Sequence, residues 1–395
     1  MRIFSAGGNV RRMKRSCLAM LVATLLAAAA YPVDMQLTVT KTTPLKGELE
    51  DLVTFGLLKE MTCDSNGNIF SPSNRKYGSA LNSVVRFPHD ASSFAKFSID
   101  SVPGLERGTI TDFELEPGGD LFVLARQVLK YSDVEEPLKF GKTLLIRYDQ
   151  NGRVLSRLEL KLNTTDFSPT GIAMLRRDEI LVVGGHSVNG KTFVICQVFR
   201  QDGTLRRRFT LNPAGTKTSN GKAVRSTRVV EPLALKAGGA IYVLRGTTTE
   251  PIYVLSESAE LVRTIQLKPT EIEFDSPKLL GAELVVQEHH PIVDQPVDPR
   301  TGPVFRQPQP VELPVFSLVT GKVVDRYIWH NESASLACAA PESLTFIGQD
   351  PTSGFAWSVF EASPGRHISG TNSAINSVTG SIVSLLLRSN SLKTR

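Results

Sequence analysis

Apolar and polar residues alternate over most of the chain in short runs, and polar turns carrying Asp, Asn or Gly separate the runs. Alternation of this kind predicts half-buried β-strands, and long helical periodicity is absent. One pattern recurs six times: an alternating strand, a tight polar turn, then a hydrophobic strand. The six copies are "MTCDSNGNIFS", "FELEPGGDLFVLA", "IAMLRRDEILVVG", "LALKAGGAIYVLR", "KLLGAELVVQ" and "LACAAPESLTFIG". Their second strands are expected to begin at Ile69, Leu121, Ile180, Ile241, Leu284 and Leu344, about 43 to 61 residues apart. Most copies are followed by a further hairpin, as in "TLLIRYDQNGRVLSRLEL" and "FVICQVFRQDGTLRRRFTL". Four short strands per unit make one blade, which cannot bury both faces alone. The expected fold is therefore all-β, a six-bladed β-propeller of four-stranded antiparallel blades. "MQLTVT" (35–40) is the expected closing strand, with "SIVSLLLRS" in the tail as the competing one.

The first thirty residues change the reading of charge. Arg2, Arg11, Arg12, Lys14 and Arg15 precede an apolar run from Cys17 to Ala30, the pattern of a secretory signal peptide. The run is too short to span a bilayer. The expected organisation is a signal peptide at 1–30, a propeller at 31–367 and a Ser- and Asn-rich tail at 368–395, with no membrane span after cleavage. Removing five basic and no acidic residues lowers the formal charge from +6 to about +1, so no phosphate-neutralising surface is indicated and nucleic acid is not an expected partner. Cys63, Cys196 and Cys338 remain, an odd number with no C-x-x-C pair. Equivalent positions in successive blades point the same way round the ring, so Cys63 and Cys338, each six residues before its second strand, are expected to be unbonded.

The units resemble NHL-type six-bladed propeller repeats, in which an "S-x-G-N-I" turn precedes a strand and a "D-x-x-G-x" turn follows later. "CDSNGNIF" and "FRQDGTLRRRF" carry the resemblance. It implies a fold and no activity. Tight turns such as "SNG", "PGG", "QNG", "QDG" and "AGG" occupy one face of the disc. Long connections at 72–82, 128–141, 212–230 and 288–314 occupy the other, to which binding is assigned. The last holds the candidate binding residues His289, His290, Asp294, Asp298 and Arg300, stiffened by seven prolines.

Counting back from the second strands sets Glu60, Asp112 and Asp275 at one register, with Glu231 one residue off. Carboxylates ringing a channel mouth could hold Ca²⁺. Lactonase propellers of the gluconolactonase type hold a metal at this place, and Glu60 resembles their first ligand in position; their Asn- and Asp-bearing loop motifs have no counterpart. No G-x-S-x-G, H-E-x-x-H or phosphate loop is present. The expected function is that of an exported, secreted or periplasmic monomer without a cofactor that binds a protein, peptide or glycan. The alternative is a metal-dependent hydrolase or lactonase using the channel carboxylates.

Overall fold

The computed structural model describes residues 33–53, 61–74, 81–116, 118–130, 139–162, 167–176, 179–188, 191–211, 232–269, 272–288, 310–353 and 356–365. The described residues open with strand β1 (Val33–Pro44) and a short helix α1 (Glu48–Leu52). Four antiparallel four-stranded sheets follow. The first is β2 (Thr62–Cys63), β3 (Ile69–Asn74), β4 (Leu81–Phe87) and β5 (Ala95–Ser98). The second is β6 (Gly108–Leu115), β7 (Leu121–Lys130), β8 (Lys139–Tyr148) and β9 (Val154–Leu160). The third is β10 (Ser168–Met174), β11 (Ile180–Val188), β12 (Lys191–Phe199) and β13 (Leu205–Thr210). The fourth is β14 (Leu233–Ala237), β15 (Ala240–Leu244), β16 (Ile252–Ser256) and β17 (Leu261–Ile265).

The rest departs from six separate blades. β18 (Phe274–Leu280), β19 (Glu283–Glu288), β20 (Val311–Ser317) and β21 (Val323–Trp329) join β22 (Ala334–Ala340), β23 (Ser343–Asp350) and β24 (Ala356–Pro364) in one eight-stranded sheet. β1 is the bridge: Val33–Gln36 run parallel to Asp325–Ile328 of β21, and Leu37–Pro44 run antiparallel to β24. A strand long enough to reach past its own sheet supplies hydrogen bonds to two neighbours. The sheet is β-propeller-like in its repeats but continuous across that seam. Trp329 of β21 reinforces the seam, stacking on Phe346 of β23 at 4.1 Å between ring centres and meeting Phe360 of β24 edge-on.

Among the described residues, six buried hydrophobic clusters lie between successive strand groups and return to the start. They join β2–β5 to β6–β9 through Phe97, Val123 and Tyr148, the second sheet to the third through Leu124, Phe167 and Val182, and the third to the fourth through Val183, Ile241 and Val243. They then join the fourth to β18–β21 through Ile252, Leu284 and Phe316, β18–β21 to β22–β24 through Val315, Trp329 and Phe346, and β22–β24 to the first sheet through Ile69, Phe87 and Ile347. Each sheet buries both faces only because it has two neighbours.

The turns seen in the sequence have a second use in this ring. Asp149 fixes the β8–β9 turn by accepting from the backbone N–H of Asn151 and Arg153, both at 2.9 Å. A Cβ at Gly152 would come 2.6 Å from the carbonyl oxygen of Lys96 on the preceding sheet, and one at Gly203 would come within 2.2 Å of Glu159 O. With φ of 82° and 76° as well, both positions need glycine. The turn glycine is thus a contact between sheets as much as a bend.

Candidate functional site

The innermost strand of each group has one edge paired in its sheet and one facing the axis, where backbone N–H and C=O groups need partners. Charged side chains from neighbouring inner strands supply several of them. Asp112 Oδ2 accepts the N–H of Ile172 at 2.6 Å, and Glu114 Oε2 accepts the N–H of Met174. Lys236 Nζ donates to Met174 O at 2.7 Å from the other side, and Lys278 Nζ reaches Met61 O at 2.6 Å. Between β19 and β22, Gln287 accepts from Leu336 N at 2.9 Å and donates to Ala334 O at 3.1 Å. These are clasps between strands that share no backbone ladder.

β-bulges set which side chains reach across. The inner strands carry register shifts at Ile110/Asp112, Pro169/Gly171, Asp275/Lys278 and Leu336/Cys338, and a bulge re-aims the residues beyond it. Burial pushes the Glu114 carboxyl up to about 7, against the opposing pull of the Met174 N–H and the Lys236 ammonium.

The inner strands enclose a cavity of about 940 Å³, lined by β2, β6, β10, β14, β18 and β22 together. Met61–Cys63, Asp112–Glu116, Met174, Leu235–Ala237, Pro277–Leu279 and Ala337–Ala340 form its wall. Asp64, Ser65, Gly67, His89, Gly238, Gly239 and Glu257 carry the lining into the tight turns. The turn face was expected to offer little for binding, yet the described cavity lies there, because short turns leave the channel mouth uncovered.

One expectation is overturned. Cys63 and Cys338 form a disulfide, with Cα atoms 5.7 Å apart. Cys63 pairs with Ile69, the first apolar residue of its second strand, but Cys338 pairs with Thr345, one beyond Leu344. A shift of one residue turns a side chain to the opposite face of its strand. The two sulfurs therefore face each other across the gap, and the gap is narrow because both strands are innermost. Cys196 is free and buried, and burial raises its thiol pKa.

The residues picked out from the sequence fall as follows. Asp112 lines the cavity from the middle of β6, while Asp275 is exposed on β18 outside the lining. Glu60, Glu231, His289, His290, Asp294, Asp298 and Arg300 lie outside the described residues. So do the signal-like segment, the tail beyond residue 365 and most of the long connections; Val311–Pro314, assigned to the last of these, belong to β20. Glu114, Lys236, Lys278 and His89 were missed. Glu114, Lys236 and Lys278 left a visible signal, a charge flanked by apolar residues just before a tight turn.

No family model matches the chain, and no curated protein matches it. Among solved structures, it is similar to an unknown-function protein from Dyadobacter fermentans (7% identity, 83% of this chain and 99% of that one, TM-score 0.49). It is also similar to glutaminyl cyclase from Myxococcus xanthus (10% identity, 84% and 97%, TM-score 0.31) and to a chain of the mitotic checkpoint complex (9% identity, 82% and 91%, TM-score 0.38). At these identities the likeness concerns the fold alone.

Proposed function

We propose that the protein is an exported binding module that receives a peptide or glycan in the channel cavity at its tight-turn face. The observation that carries this reading is the engagement of Asp112 and Glu114 with the main chain of β10. Carboxylates used as acceptors for strand N–H groups serve the ring, and the space beside them is of the size that holds a small ligand. We read the eight-stranded sheet as two blades joined through β1, which makes the ring six-bladed and closes it with an N-terminal strand. The six-way lining of the cavity and the six inter-sheet clusters support that count. The Cys63–Cys338 disulfide and the signal-like N-terminus both favour an oxidising compartment outside the cytosol.

Glycan and peptide arrays probed with the disulfide-intact protein test the reading. Ala340 is exposed beside the mouth, so Ala340→Trp should abolish array binding while leaving the melting temperature within about 2 °C of wild type, as expected for a surface change. Binding that survives Ala340→Trp would move the site away from the cavity.

A further inference from the structure

We propose that Cys63, Cys338 and His89 form a redox-gated binding site for a thiophilic d¹⁰ ion, with Zn²⁺ the expected occupant. The two sulfurs and a ring nitrogen of His89 all lie within 4.8 Å of one another. His89 Nε2 is buried without a hydrogen-bond partner among the described residues, the kind of orphaned polar atom that calls for an explanation. On the other side of the ring, Nδ1 lies 3.8 Å from Glu361 Oε1, whose carboxylate is held by Lys41 Nζ at 3.2 Å. A carboxylate behind one imidazole nitrogen orients the ring and raises the donor strength of the other.

Cys63 and Cys338 stand on strands β2 and β22, and His89 in the turn between β4 and β5. Cys63 precedes a turn locked by Asp64, whose Oδ1 accepts the N–H of Asn66 and Asn68, both at 2.9 Å. At the apex, Gly67 takes a φ of 79°, which favours glycine, and lies against the His89 ring, where a Cβ would stand in ordinary contact at 3.8 Å from Cε1 and Nε2. Cys338 follows the β22 bulge that turns it toward Cys63. All three residues line the channel cavity, so a fourth ligand can arrive from that side, as in zinc sites with three protein ligands and one exchangeable position.

The disulfide and the metal exclude each other. A dithiol reductant cleaves the Cys63–Cys338 bond by exchange, becomes a disulfide itself and leaves two thiols on the protein. Zinc then binds both sulfurs and the Nε2 lone pair, and the two thiol protons pass to solvent. Oxidation of the two thiolates back to the disulfide, with a disulfide oxidant taking the electrons, ejects the ion. The site therefore reports the redox state of its surroundings at the seam where the first and last strand groups meet.

The test is equilibrium dialysis against Zn²⁺ of the purified protein, disulfide-intact and after reduction with a phosphine, with Co²⁺ as the spectroscopic probe. The reduced protein should bind one zinc, show thiolate-to-cobalt charge transfer with the intense visible bands of a tetrahedral site, and lose both on reoxidation. The intact protein should bind none at this site. His89→Ala keeps both cysteines and should weaken binding by at least ten-fold, Glu361→Gln should weaken it by about 10- to 100-fold, and Cys196→Ala should change nothing. Circular dichroism on each sample guards against unfolding, and a peptide spanning Cys63 alone serves as the unstructured control. Equal zinc binding by the intact and reduced forms, or by His89→Ala and wild type, would overturn the proposal. So would a folded reduced protein that binds no zinc.

Discussion

Cutting the Cys63–Cys338 link should cost the protein stability without costing it the fold. The bond joins residues 275 apart in sequence, so it removes a very large loop from the unfolded ensemble. The chain-entropy estimate for such a loop is about 6 kcal/mol, and measured values usually fall below it, at about 2–4 kcal/mol. For a chain of this size each kcal/mol moves the thermal midpoint by roughly 1–2 °C, which predicts a fall of roughly 2–8 °C. The ring should survive because β1 closes it independently, through its ladders with β21 and β24. The assay is calorimetry of the oxidised protein, the phosphine-reduced protein and Cys63→Ser/Cys338→Ser, all with a chelator present so that bound zinc does not mask the loss. Far-ultraviolet circular dichroism at 25 °C should be the same for all three. A midpoint that moves by less than about 1 °C would refute the reasoning, since it would mean that the link constrains nothing β1 had left free.

Three further outcomes follow from the same contacts. Cys17 aside, a thiol reagent applied to the unfolded, unreduced protein should count one free cysteine, Cys196, and mass mapping should join Cys63 to Cys338; a count of three would remove the disulfide. Glu114→Gln keeps an acceptor for Met174 N–H but cannot ionise. Because burial raises the wild-type carboxyl from 4.5 to about 7, the native state holds the extra proton between those values. Glu114 thus favours the fold fully below about pH 4.5, and its contribution is lost as pH rises through about 7. The variant should show a flatter midpoint-versus-pH curve over that window, and an unchanged slope would count against the assigned burial. Trp329→Ala should destabilise by about 3–5 kcal/mol in denaturant unfolding, because it unstacks Phe346 and Phe360 at the seam; a loss under 1 kcal/mol would mean the seam is held by β1 alone.

The strands were legible because their chemistry is local. Ile69, Leu121 and Ile180 begin β3, β7 and β11 as the alternation predicts, and Ile241, Leu284 and Leu344 fall one residue inside β15, β19 and β23. The role of Val33–Gln36 was not legible, since nothing in four residues of sequence announces a parallel partner nearly three hundred residues away. The bulges were hidden for a similar reason. One extra residue leaves alternation almost intact, yet it puts Cys338 opposite Thr345 and so opposite Cys63 in space. Counting back at fixed spacing found Asp112 in the channel wall and set Asp275 beside it on paper, whereas the β18 bulge separates Asp275 from the lining. His89 could be placed only once the turn of the first sheet and the end of β22 were seen together.

The reading of a binding module against a metal-dependent hydrolase is tested most directly by turnover of a panel of lactones and esters by the disulfide-intact protein, with Ca²⁺, Mg²⁺, Mn²⁺ or Zn²⁺ added in turn. Hydrolysis at the buffer rate with every ion, unaltered in Asp112→Asn, is the predicted result. Ion-dependent turnover above that rate which Asp112→Asn abolishes would contradict it, and would make the channel carboxylates catalytic ligands.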